Sequence, residues 1–473
     1  MRSPDSLRSR LPPPANPTLV RGLGSLDVAS ITFNCLVGSA IFIAAAIVPR
    51  AVPHPWLMLP LWIAGGLLCL AGVATYCELG TMFPEAGGQY QYLKEAYGPL
   101  WGFLYGWTAF LVIQSGVIAY LSVAGADGLG TIWPALSSSH TLVAVPFGDA
   151  TWSIQGSQAG GAALIATITV VNYFGLRAGA GLQNAIGAVK IGSLLAFIGF
   201  GLAAAPAAPD PWPQPLPPGL PWSALAVGMI GVLWCYDGFY QAGFAAGEIR
   251  DPSRNLARGM ILGVAATILL YALVNIVYLR ALPPRALGDA PRIGEAAATA
   301  LFGGLGGRLM SAAVLVSILG CLATCILTAA RIYLPMAQDG LFFRSLARIH
   351  PRYRTPGPAL VAQATWASVL AFSGSYEQLG TYTLFATFLF HAANGLAVFV
   401  LRRAQPDRER PYRAWGYPVT PALFILMSLV FVVSTLLQRP RESFLGLGLV
   451  ALGLPAYAWW NRSNARPASA PSG

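Results

Sequence analysis

Two apolar stretches of this chain are each long enough to cross a bilayer, and each is broken near its middle. The first, residues 25–48, is interrupted by Gly38-Ser39. The second, residues 222–246, is interrupted by Cys235-Tyr236-Asp237-Gly238. Roughly 20 apolar residues suffice for a crossing. A glycine and polar break at mid-depth frees backbone N–H and C=O groups where hydrocarbon can satisfy neither. Such a break survives where it lines a cavity, and a matched pair in the two halves of a chain points to a solute site near the midplane.

Composition agrees with a membrane chain. Of 473 residues 55% are hydrophobic and 10% charged, and mean hydropathy is +0.59, which excludes an ordinary soluble domain. Twelve apolar segments begin near Ser25, Trp56, Leu100, Ala159, Leu182, Trp222, Ala257, Leu309, Ala359, Tyr382, Thr420 and Phe444. The expected fold is an all-α polytopic membrane protein. Residues 1–22 read as a disordered cytoplasmic tail, 23–462 as one transmembrane domain and 463–473 as a second cytoplasmic tail. The broken segments stand first and sixth, as two five-helix repeats followed by two added helices would require.

Orientation follows from charge. Of the 29 Lys and Arg residues, those facing the outside on this topology are Arg50, Arg280, Arg285, Arg292, Arg308, Arg439 and Arg441. Apart from Lys190, which lies inside an apolar segment, the rest fall on the side of both termini, Arg331 among them at the start of a charged loop over residues 331–358. The positive-inside rule puts that side in the cytoplasm of a multi-pass inner (plasma) membrane protein. The net charge of +11 has the same origin and calls for no nucleic-acid partner. All six cysteines fall in apolar segments, so neither an external disulfide nor a zinc site is expected. There is no phosphate-binding glycine loop and no His-Glu-x-x-His motif, so no catalytic residue, cofactor or metal is assigned.

The breaks themselves have a chemistry. A helix restarting near Ala40 presents N–H groups and a positive dipole end, which suits a carboxylate. A helix ending near Trp234-Cys235 presents carbonyls and a negative end, which suits an ammonium. Donors on one wall and acceptors on the other match the head of an α-amino acid. The bland alternative is that Gly38 and Gly238 only allow tight helix packing. Asp237 either holds an amine or braces the unwound chain. Lys190 lies about 12 Å into its helix at 1.5 Å per residue. It either snorkels to the cytoplasm or stands as a buried ammonium. Glu78, Glu248 and Arg250 read as partners in loop or gate ion pairs, and His391 as a packed histidine.

Several motifs together carry a family resemblance. Residues Val37-Gly38-Ser39-Ala40-Ile41-Phe42 resemble the first-helix motif of the amino acid–polyamine–organocation superfamily. Tyr76-Cys77-Glu78-Leu79-Gly80, followed by Gly87-Gly88-Gln89-Tyr90, resembles its second helix and loop. Trp234 to Gly238, Gly247-Glu248-Ile249, Met336-Ala337-Gln338-Asp339-Gly340 and Arg410-Pro411-Tyr412-Arg413 resemble later signatures. The nearest branch is the bacterial permeases akin to L-type transporters and serine/threonine exchangers.

The resemblance implies a leucine-transporter-type five-plus-five inverted repeat with two C-terminal helices, working by sodium-independent alternating access. It implies substrate binding by Gly38, Ser39, Ala40, Trp234, Cys235, Asp237 and Gly238, with Trp234 as an aromatic gate. Lys190 is then a coupling residue in place of sodium, beside the first and eighth helices, with Ser317 a candidate neighbour. The expected cargo is a neutral L-amino acid, its side chain left open, carried by a monomer. A polyamine or other organic amine carrier is the nearer rival, and a membrane sensor or enzyme the remoter one. Two positions depart from the family pattern: Ala40 replaces a usual Gly, and Phe239 a frequent Trp.

Overall fold

A computed structural model describes residues 19–147, 150–174, 176–208, 219, 222–373 and 376–465. Most of both expected tails and most of the Pro-rich connector 206–221 lie outside the described residues. Among the described residues, eight helices are long and apolar enough to cross a membrane: Pro55–Met82, Pro99–Leu129, Ala185–Ala203, Pro252–Ala281, Ile293–Gln338, Gln378–Ala404, Val419–Gln438 and Pro440–Arg462. Two interrupted spans and two shorter helices, Gly156–Tyr173 and Gly357–Ala371, complete the twelve anticipated segments. The spans are numbered here in chain order, with Leu176–Ala203 as the fifth and Tyr376–Ala404 as the tenth.

Packing follows a repeat. Spans one and two both pack on six and seven, and three and four both pack on eight and nine. The fifth lies against the seventh and eighth, and the tenth against the second, third and eleventh. Adding five to span one or two gives six or seven, and adding five to three or four gives eight or nine, so each foursome holds two pairs five spans apart. That is the pattern two structurally equivalent halves produce.

Two features depart from the expected plan. The loop between spans three and four folds into an antiparallel hairpin, Thr141–Phe147 with Ala150–Gln155. Long apolar runs do not mark it, because the strands are short. Arg331, placed by sequence at the start of a cytoplasmic loop, is instead a fully buried residue of the eighth span. The helix runs on to Gln338 because Glu248 neutralises that charge inside the fold.

Candidate functional site

Both expected breaks are present. The first span is helical over Ser25–Leu36, loses its regular pattern at Val37, Gly38 and Ser39, and resumes as 3₁₀ turns at Ala40–Phe42 and Ala44–Ala46 before Ile47–Ala51. Ser39 accepts through its carbonyl from Phe42 and Ile43. The preceding N–H groups of Ala40 and Ile41, first in the restarted turn, have no acceptor within their own helix. The sixth span is helical over Trp222–Cys235, turns through residues 236–240, and resumes at Gln241–Phe244 and Ala246–Glu248.

The two breaks touch. Gly238 has φ of +113°, and a Cβ there would stand 3.1 Å from the Cys35 carbonyl oxygen. A side chain at 238 would be strained and would push the breaks apart. Gly38 is closed in likewise: its added Cβ would meet Cys321 Sγ of the eighth span at 3.2 Å.

Neighbouring spans satisfy the carbonyls that unwinding releases. The Tyr271 hydroxyl of the seventh span lies 2.7 Å from Leu36 O and 3.0 Å from Cys235 O, sharing one proton between the two broken helix ends. Ser317 donates to Val37 O at 2.8 Å and reaches Gly38 O at 3.3 Å. Cys321 and Cys69 donate weakly to Cys35 O and Tyr236 O. The Cys235 carbonyl, expected to face an ammonium, is therefore already engaged by Tyr271.

Lys190 is fully buried, which decides against snorkelling. Its Nζ donates to Asn34 O at 3.2 Å and Asn34 Oδ1 at 3.3 Å, one turn before the first break. Asn34 is thus the neighbour that sequence reasoning missed. Ser317 holds the same unwound segment further along, by its carbonyls. Asp237 is nearly buried, its Oδ1 3.3 Å from His391 Nε2 of the tenth span. Trp234 packs over Gly380 of the tenth span and lines an outer crevice of about 320 Å³ with Ile47, Arg50 and Phe431.

Past the breaks, on the side where the chain enters the first span, the bundle is closed. Gln241 Nε2 donates to Gln114 Oε1 at 3.0 Å, and Thr328 donates to Gln241 Oε1 at 2.9 Å, joining spans three, six and eight. Below them Arg331 grips Glu248 with two bonds, Nε–Oε2 3.1 Å and Nη2–Oε1 3.0 Å; Arg331 is fully buried and Glu248 2% exposed. The Glu248 carbonyl accepts the N–H groups of Gly22 and Leu23, so the chain entering the first span is held under the sixth. Glu78 is also buried; it accepts two bonds from Arg402 and the Ala414 N–H. On the short helix Gln89–Tyr97, at the same end of the bundle, Tyr90 and Lys94 both donate to Asp339. Burial, then that bond to a carboxylate, pushes the Tyr90 phenol far above its ordinary range.

The opposite side is open. A cavity of about 520 Å³ reaches from Phe42 and Ile43 of the restarted first span to the hairpin end and the eighth span. Arg292 crosses its wall, 2.7 Å from Asp127 and 3.1 Å from Glu295.

A membrane bundle with two abutting helix breaks, open on one side and sealed on the other, is the architecture of an alternating-access solute carrier. The amino acid permease family model matches residues 23–446, and the chain belongs to that family of transporters. It is 29% identical to the serine/threonine exchanger SteT of Bacillus subtilis (strain 168), over 93% of this chain and 96% of the exchanger. It is 27% identical to the mouse b(0,+)-type amino acid transporter 1, covering 90% and 85% of the two chains. It is 25% identical to the human large neutral amino acids transporter small subunit 2, covering 93% and 80%.

Proposed function

We propose that this amino acid transporter exchanges neutral L-amino acids across the plasma membrane without sodium, both termini lying in the cytoplasm. The observation that carries the reading is the contact between the two breaks, Gly238 against Cys35, with Lys190 anchored to Asn34 directly behind it. The substrate carboxylate meets the N–H groups at Ser39, Ala40 and Ile41. Its ammonium lies on the opposite wall, toward Asp237 and the Trp234-Cys235 end of the sixth helix. Gly38 and Gly238 keep backbone exposed to it, and Trp234 closes the outer crevice over it.

Lys190 takes the role of a bound cation. It ties the first span to the fifth, and Gly320 of the eighth packs against the same Asn34 side chain. Deprotonating or moving it releases the segment that ends at the first break, which couples charge to opening. The partners at the breaks favour a neutral cargo, since Asp237 and Lys190 are each engaged within the fold. The relatives named as exchangers and neutral amino acid transporters lean the same way. One chain supplies both breaks and the lysine, so a monomer suffices.

Proteoliposomes holding the purified chain test this reading. Radiolabelled neutral L-amino acids should enter only when an unlabelled amino acid is inside, with sodium absent. Amines lacking a carboxylate should not compete; if they do, the organic-amine reading prevails. Ser39→Pro should abolish uptake in protein that stays folded, and Lys190→Ala should lower it by at least about tenfold. Sodium-dependent uptake, or full activity of Lys190→Ala, would refute the lysine's role.

A further inference from the structure

His391 is a buried ionisable group that this transport scheme leaves unused. It is 1% exposed, with Nδ1 2.7 Å from the Tyr76 hydroxyl of the second span and Nε2 3.3 Å from Asp237 Oδ1 at the sixth-span break. Phe239 stacks on the imidazole at 5.6 Å and Tyr240 meets it edge-on at 5.0 Å. Phe424 of the eleventh span and Phe388 of its own helix complete the cage. Among the described residues, the titratable groups facing the ring are therefore Asp237 and Tyr240 from the sixth span and Tyr76 from the second. The eleventh span presents an apolar ring.

The hydrogen-bond direction follows from valence. A neutral imidazole donates from one nitrogen and accepts at the other. An ionised Asp237 can only accept, so the hydrogen sits on Nε2. Nδ1 must then accept from Tyr76, which always has a proton to give. The chain of donors runs Tyr76 to His391 to Asp237, from a buried phenol to the carboxylate in the break.

We propose that His391 is a positioning residue that sets the net charge of the sixth-span break. Neutral, it aims Asp237 and leaves one negative charge facing the substrate's ammonium. Protonated, it cancels that charge, and the ammonium is held less tightly. Transport thereby weakens in acid through KM, not through turnover. The inference rests on the reading that the break holds an amino group.

Two measurements test it, one of them independent of transport. In proteoliposomes with radiolabelled L-serine, lowering the pH from about 8 to about 5 spans the range in which an imidazole changes charge. KM should rise about tenfold, equivalent to ~1.4 kcal/mol of lost attraction, with Vmax within about twofold. His391→Gln, whose amide N–H still donates to Asp237, should hold KM flat at the alkaline value; His391→Asn serves if that protein misfolds. An unchanged acid rise in these variants, or a flat profile in the unmodified chain, overturns the proposal.

The chain has four histidines, so nitrogen NMR of histidine-labelled protein can assign His391 by its loss in His391→Gln. An Nε2–H tautomer at alkaline pH, perturbed by Tyr76→Phe, supports the donor chain; an Nδ1–H tautomer overturns it. If L-serine and other amino acids are not carried at all, the exchange reading fails while the spectrum still decides the direction of the chain.

Discussion

The two faces of this transporter hold their ions differently. On one face, Arg292 meets Asp127 and Glu295 on the wall of a cavity of about 520 Å³, each side chain about a quarter exposed. On the other, Arg331 and Glu248 are sealed from solvent and locked by two parallel bonds. Exposed pairs contribute little, because water and salt screen them. A sealed pair is the opposite case, since losing one partner strands the other without water. The contrast shows which face is shut: the Arg331 side is closed by ions that have given up their hydration, while the Arg292 side keeps its ions partly exposed beside a cavity.

The largest expected effect comes from breaking the inner lock. Arg331→Met should cost about 3–5 kcal/mol, seen as a drop in detergent Tm, because Glu248 is left buried and unpaired. It should also open the cytoplasmic path. Cys321 and Cys325, both buried now, would then react with a small maleimide. If Tm and labelling both stay unchanged, the sealed pair is not the lock. The double variant Arg331→Met, Glu248→Leu should recover most of the stability while leaving the path faulty, since an apolar replacement of a buried pair is often neutral. Stability that stays low in the double variant would mean that the guanidinium's contact with the Leu327 carbonyl, and not the ion pair, dominates.

A smaller effect is expected between the two faces. Tyr271→Phe removes the hydroxyl that ties Leu36 O to Cys235 O. Leaving buried carbonyls short of a donor should cost about 1–3 kcal/mol, with transport falling further than Tm predicts if the tie sets the spacing of the breaks. At the outer wall, Asp127→Asn should change Tm by less than about 1 kcal/mol equivalent, and less still in high salt. An Asp127→Asn loss as large as that of Arg331→Met would erase the distinction between the faces.

Much of the architecture was legible in the chain. The twelve segments needed only hydropathy, because hydrocarbon demands a long apolar helix wherever the chain crosses. The two breaks were visible for the same reason: a Gly-Ser or an Asp-Gly in the middle of a span is costly unless a cavity receives it. Partners were not legible. Arg331 looked like a loop residue until Glu248, 83 positions away, was found against it. Asn34, not Ser317, receives Lys190, and Tyr76 and Asp237 turn His391 from packing into a hydrogen-bonded relay. A buried charge in an apolar run is itself a signal, and Arg331 could have been flagged on that ground; its partner could not.

By itself, then, the sequence determined where the chain crosses the membrane, where it unwinds, and that a cation lies within the fifth span. Local chemistry suffices for those, since each depends on residues within a turn or two and on the bilayer as solvent. Only the tertiary structure decided which carbonyls remain available at the breaks, which carboxylate each buried cation meets, and which side of the path is closed. Those are matters of contact between spans far apart in sequence, and a difference of a few ångströms decides whether a buried group is satisfied or stranded.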